Sequence, residues 1–191
     1  MGHQERIQAL DDEIRAKIEE RNKLMLSSEP EPVEDSTLID RKGNSVKLSE
    51  LFGDKEELLL IHNMGKGCVY CIMWADGFRG DAEHIQDRMA MVLTSPDKPE
   101  IMAEFANSRN WNFPVASFHG TDFARNLGFT REKDGKTYYQ PGVSALIKQD
   151  GKIFRTAKDY FGPGDLYCPP WQFFKLFPKG YDDWGPKYSY P

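Results

Sequence analysis

Leu58-Leu59-Leu60-Ile61 followed by His62 is a nearly continuous apolar run. It is far below the roughly 20 residues that a membrane-spanning helix needs. Its lack of polar alternation marks a strand buried on both faces, in the middle of a sheet covered by helices. Met89-Ala90-Met91-Val92-Leu93 is a second such strand and Phe113 to Phe118 a third, with a helix between them over Lys98 to Arg109. From Cys68 to about Gln86 the helical signals are only scattered. Strands alternating with helices indicate an α/β sheet with parallel pairing.

The remaining segments hang on that frame. Thr37-Leu38-Ile39-Asp40 and Ser45-Val46-Lys47-Leu48 flank a Lys42-Gly43-Asn44 turn and read as a short hairpin. Val143 to Ile147 and Lys152 to Arg155 flank Gln149-Asp150-Gly151 and read as a terminal hairpin. Residues 4–26 repeat Ile7, Leu10, Ile14 and Ile18 at steps of three and four, with Leu24 and Met25 near the end, which predicts an amphipathic helix. That helix packs either on its own domain or on a second copy of the chain. Ser27 to Pro32 has two prolines and no apolar side chain, so it reads as a linker. The last 32 residues hold 11 of the 24 aromatic residues and 6 of the 12 prolines. Prolines forbid long regular elements there, and so many rings predict a segment wrapped over the core. The expected division is 1–32 helix and linker, 33–160 main domain, and 161–191 aromatic wrap.

The net charge of −5, with 25 Lys and Arg scattered among 30 Asp and Glu, leaves no electrostatic footprint for nucleic acid or anionic lipid. Met1 opens a charged segment rather than a signal peptide, so the expected location is the cytoplasm.

The sharpest chemical signal is Gly67-Cys68-Val69-Tyr70-Cys71. A CxxC pair that follows a buried strand and opens a helix puts the first sulfur beside unpaired N–H groups and the positive end of the helix dipole. Those groups stabilise a thiolate, the nucleophile of disulfide exchange, and Lys66 adds a nearby charge. Both sulfurs fall on the first turn, within reach of each other. A buried structural thiol pair and a zinc half-site are the bland alternatives. Zinc needs two further ligands, and there is no second CxxC or paired His motif, so neither a metal nor a cofactor is expected. His62, six residues before Cys68, is a candidate base for the Cys71 proton, set against a histidine merely packed on the sheet. Cys168, before Pro169-Pro170, is a third thiol with either a redox role or none.

The order of strand, CxxC helix, strand, helix and hairpin resembles the thioredoxin-like superfamily. The segments Thr37 to Asp40 and Val46 to Gly53 are similar to the entry of peroxiredoxin-type members. Together with Trp74-Ala75-Asp76-Gly77-Phe78, Trp111-Asn112-Phe113-Pro114, Gly120-Thr121-Asp122-Phe123 and Pro141-Gly142-Val143-Ser144, the CxxC resembles the bacterial domain-of-unknown-function 899 family, whose members are labelled predicted dithiol-disulfide oxidoreductases. The resemblance implies a thioredoxin-like α/β fold with a central mixed sheet flanked by helices. It also implies a Cys68 that attacks and a Cys71 that resolves. The substrate would be a protein or small-molecule disulfide, with an unidentified electron donor. Two rivals are a peroxide reductase using the same Cys68 and a non-catalytic interaction module on this scaffold. Peroxiredoxins carry a threonine three residues before the reactive cysteine, where this chain has Gly65, which ranks the peroxide reading second.

Overall fold

The computed structural model describes residues 2–191. Its main sheet has eight strands: β1 (Glu31–Val33), β2 (Thr37–Asp40), β3 (Ser45–Lys47), β4 (Glu57–His62), β5 (Ala90–Ser95), β6 (Val115–Ser117), β9 (Gly142–Gln149) and β10 (Lys152–Tyr160). Their order across the sheet is β1-β10-β9-β4-β5-β6-β2-β3, so the apolar run lies at the centre, as its composition predicts. β4, β5 and β6 pair in parallel, and β4 meets β9 antiparallel. Helices α2 (Val69–Arg88) and α3 (Pro99–Ser108) connect the parallel strands. A mixed sheet flanked by helices is the architecture that the resemblance implies.

Each central strand faces two cores. On one face Leu58 and Leu60 pack with Phe52, Phe118 and Phe129; on the other Leu59 and Ile61 meet Trp74, Ala75 and Ala82 of α2 and Met102 and Ala106 of α3. Alternation along β4 therefore assigns every side chain to a face. Leu60 is wholly buried, and enclosing a side chain of that size stabilises the fold by about 1.5–3 kcal/mol.

The scattered signals after Cys68 resolve into one 20-residue helix that runs through Gly77 and Gly80. Two glycines weaken the pattern, but the buried face of Cys71, Ile72, Trp74, Ala75 and Ala82 holds the helix on the sheet. The linker ends earlier than its composition suggests, because Glu31 and Pro32 already belong to β1 at the sheet edge. An edge strand tolerates proline, whose missing N–H can face solvent.

α1 (His3–Leu26) forms as the periodicity predicts but buries no residue. The C-terminal segment is only partly a wrap. Phe161, Cys168 and Trp171 are buried against α2, and the short α5 (Pro169–Phe174) supplies Trp171. Phe173, Leu176 and Phe177 instead remain exposed. A separate hairpin, β7 (Thr130–Lys133) with β8 (Lys136–Tyr139), follows the four-residue α4 (Phe123–Asn126). No helix is long and apolar enough to cross a membrane among the described residues.

Candidate active site at the start of helix α2

The chain leaves β4 at His62 and enters α2 through Asn63-Met64-Gly65-Lys66-Gly67, and each turn of this loop is held by a named partner. The Asn63 N–H donates to the Thr94 carbonyl (3.0 Å), while Asn63 Oδ1 accepts from the Gly65 N–H (2.7 Å). Gly65 has φ +93°, and a Cβ there would lie 3.0 Å from the Asp97 carboxylate. That conformation and that close approach explain glycine where peroxiredoxins carry threonine. Asp97 in turn accepts from the Lys66 N–H (2.7 Å) and from Ser95 Oγ (3.0 Å). On the outer side the Tyr188 hydroxyl donates to the Gly67 carbonyl (2.8 Å), and Arg109 holds the Tyr188 carbonyl (3.0 Å) while paired with Asp76 on α2.

Cys68 caps the helix. Its Sγ accepts from the Cys71 N–H at 3.1 Å, in the way a serine or aspartate oxygen serves the third residue of a helix. The sulfur is half-buried and Cys71 is buried; both are free thiols. The Cys71 thiol donates to Cys68 and, with the N–H groups of Cys71 and Tyr70, outweighs desolvation to bring Cys68 down to about 7. Cys71 moves the other way, because its proton is held by the neighbouring sulfur and its surroundings are dry. Near neutral pH the pair is thus one thiolate hydrogen-bonded by one thiol. Lys66 is engaged through its backbone N–H, at Asp97, and the donors that lower Cys68 are those of Cys71 and Tyr70.

His62 lies elsewhere. By alternation it shares the face of Leu58 and Leu60, across the sheet from α2, and its ring stacks on Phe129 at 3.5 Å. Nε2 shares a hydrogen bond with Ser144 Oγ (2.9 Å), Nδ1 has no partner, and no hydrogen bond joins the ring to either cysteine. Burial first, then the positive charges of Arg155 and Lys158, hold its pKa well below the ordinary value, so the imidazole is neutral. The geometry corrects the base assignment: His62 is packed in the sheet and does not reach Cys71.

Cys168 sits in the apolar cluster with Trp74, Phe161 and Trp171, its thiol pushed up to about 11 by burial and by Asp165. Pro141, before β9, makes a trans bond, and its carbonyl accepts from the Phe161 N–H (3.0 Å). Among the described residues no three His, Cys, Asp or Glu side chains gather as a metal-ligand set. The residues that sequence reasoning missed are Asn63, Asp97, Arg109 and Tyr188. They are distant in sequence from Cys68 or too common in type to stand out.

Residues 16–190 match the model of a family described as "Bacterial protein of unknown function (DUF899)". Peroxiredoxin Bcp of Escherichia coli K12 is 30% identical over 129 residues, covering 65% of this chain and 81% of Bcp. Peroxidoxin BcpB from Mycobacterium tuberculosis is similar in structure, with a TM-score of 0.58 at 23% identity over 69% of this chain and 84% of that one. A peroxiredoxin-like protein from Aquifex aeolicus reaches 0.56 at 16% identity over 71% and 78%. Both structures share its fold.

Proposed function

From a chain that belongs to the bacterial DUF899 family, carries a thioredoxin-like fold and is related to peroxiredoxin Bcp, we propose an oxidoreductase that reduces peroxides at Cys68. The observation that carries the reading is the half-buried Cys68 sulfur, ionised near neutral pH by the Cys71 thiol and the first N–H groups of α2. Those donors ionise the sulfur without a side chain at position 65; what Gly65 leaves out is a hydroxyl to hold the peroxide itself, so the reading rests on the thiolate.

In this mechanism the Cys68 thiolate attacks one peroxide oxygen, the O–O bond breaks, and the departing alkoxide or hydroxide takes a proton to leave as alcohol or water. Cys68 becomes a sulfenic acid. The negative charge that kept Cys71 protonated is then gone, so Cys71 ionises more easily and attacks the Cys68 sulfur. Its proton leaves with the displaced hydroxide as water, and a Cys68–Cys71 disulfide forms. An external dithiol returns two electrons and two protons by exchange, which places the cycle in a reducing compartment such as the cytoplasm. His62 has no step here.

A second reading keeps the pair as a dithiol-disulfide oxidoreductase. It is favoured by the hydrogen bond between the two thiols on one helical turn. The two separate by substrate: hydrogen peroxide and an alkyl hydroperoxide against insulin and glutathione disulfide, each with a dithiol donor. Cys68→Ser is expected to lower peroxide consumption by about 1,000-fold or more, the nucleophile being lost. Cys71→Ala is expected to perform one slow turnover and stop as a trappable sulfenic acid. Peroxide consumption that survives Cys68→Ser overturns the first reading, disulfide reduction that survives it overturns the second, and disulfide reduction without peroxide consumption selects the second.

A further inference from the structure

α1 is 24 residues long, about 36 Å at the usual rise, and it buries nothing. Its C-terminal end is tied to β10 by Arg21, which pairs with Asp159. Among the described residues, positions 3–20 make no hydrogen bond or ion pair beyond the helix and its Gly2 cap. Ile7, Leu10 and Ile14 are 41%, 50% and 56% exposed, and with the half-buried Ile18 they form one stripe. A helix of ordinary composition gains most of its stability from packing such a face, and the chain's own body does not supply the packing.

The charges beside the stripe say what covers it. Residues 3–13 carry Glu5, Asp11, Asp12 and Glu13 against Arg6, whereas 14–26 carry Arg15, Lys17, Arg21 and Lys23 against Glu19 and Glu20. The helix has an acidic half and a basic half. A parallel copy would set like against like; an antiparallel copy sets each half against its opposite and opposes the two helix dipoles as well. We propose that this face of α1 pairs with α1 of a second copy of the chain, antiparallel about a two-fold axis near Ile14. At 100° per residue, Asp11 and Arg15 flank the stripe on one side and Glu13 and Lys17 on the other. A two-fold axis brings each flank against itself. Asp11 then lies beside Arg15 of the second copy, Glu13 beside Lys17 of the second copy, and Leu10 against Ile18 of the second copy.

The test is the mass of the full chain by light scattering and sedimentation over a range of concentrations. A reversible dimer of twice 22.0 kDa is expected. Ile14→Asp, which meets itself at the axis, should weaken it by about 100-fold or more. Glu13→Lys should weaken it by about tenfold, and adding Lys17→Glu to the same chain should restore it. This charge pair keeps the proposal falsifiable if Ile14→Asp disturbs the helix, which circular dichroism reports. A monomer at every concentration, a dimer indifferent to Ile14→Asp, or a double charge exchange that fails to restore association each overturns the proposal. Peroxide consumption is a separate readout that the dimer does not depend on.

Discussion

Cys68 and Cys168 occupy the same structural position, yet their thiols are shifted in opposite directions. Both precede the first turn of a helix with extended backbone, φ −99° and ψ 98° for one, φ −129° and ψ 97° for the other. At α2 the Cys71 N–H is free to turn onto the sulfur at 3.1 Å. At α5 the first two positions are Pro169 and Pro170, which have no N–H, and the Trp171 N–H is committed to the Cys168 carbonyl (3.3 Å). One thiol therefore gains donors that offset its desolvation and falls to about 7, while the other meets only apolar walls and Asp165 and rises to about 11. A helix start does not make a reactive cysteine by itself; unspent N–H groups aimed at the sulfur do.

The largest expected effect follows from that contrast. At pH 7 about half of Cys68 and about one part in 10,000 of Cys168 are thiolate. Ionisation alone then makes alkylation by iodoacetamide about 1,000- to 10,000-fold faster at Cys68, before the burial of Cys168 is considered. Mass spectrometry of the native protein against time and pH reads both sites together. The Cys68 rate should rise with a midpoint near 7. Comparable rates at the two sulfurs would break the comparison.

The same burial that keeps Cys168 protonated keeps His62 unprotonated, since each environment rejects the charged form. The folded pKa of His62 lies well below its unfolded value of about 6.5. Below that value the unfolded chain binds a proton that the folded chain does not, so stability is full above it and falls as the pH drops. One such group gives a slope of about 1.4 kcal/mol per pH unit. Urea unfolding between pH 7 and 5 should show that loss, and His62→Gln should remove most of the slope even if it lowers stability at neutral pH. A parent and a variant with the same slope would mean that His62 already charges in the folded state.

How far the sequence discloses this molecule depends on what each signal requires. β4 reads directly because a central strand must be apolar on both faces. That same continuity hides which way His62 points, since alternation is visible only where one face is polar. Asp150-Gly151 and Asp134-Gly135 form matching turns, all four residues having positive φ. The first is flanked by apolar strands and announces a hairpin; the second joins Thr130–Lys133 to Lys136–Tyr139, most of whose side chains are exposed, and carries no pattern to read. The CxxC is visible because spacing is local. Its supports are not: Asp97 is 29 residues beyond Cys68 in the chain and Tyr188 is 120 beyond, and only the sheet and the C-terminal segment bring them to the loop.

The smallest effect tests whether the difference between the two cysteines lies in the first turn or in the whole helix, for α2 has 20 residues and α5 only six. Gly77 and Gly80 sit in the exposed interior of α2, and a Cβ at either meets nothing within 4 Å. Glycine is therefore not required by space at these positions, and neither has positive φ. Gly77→Ala and Gly80→Ala should each stabilise the protein by about 0.5–1 kcal/mol, because alanine loses less backbone freedom on folding. The influence of a helix on a charge fades beyond its terminal turn, so a sturdier α2 should leave the Cys68 midpoint near 7. Thermal unfolding and the alkylation profile measured on the same two variants separate the quantities. A higher melting temperature with an unchanged midpoint locates the thiolate's stabilisation in the donors around the sulfur, and a midpoint that falls with added stability assigns it to the full length of α2.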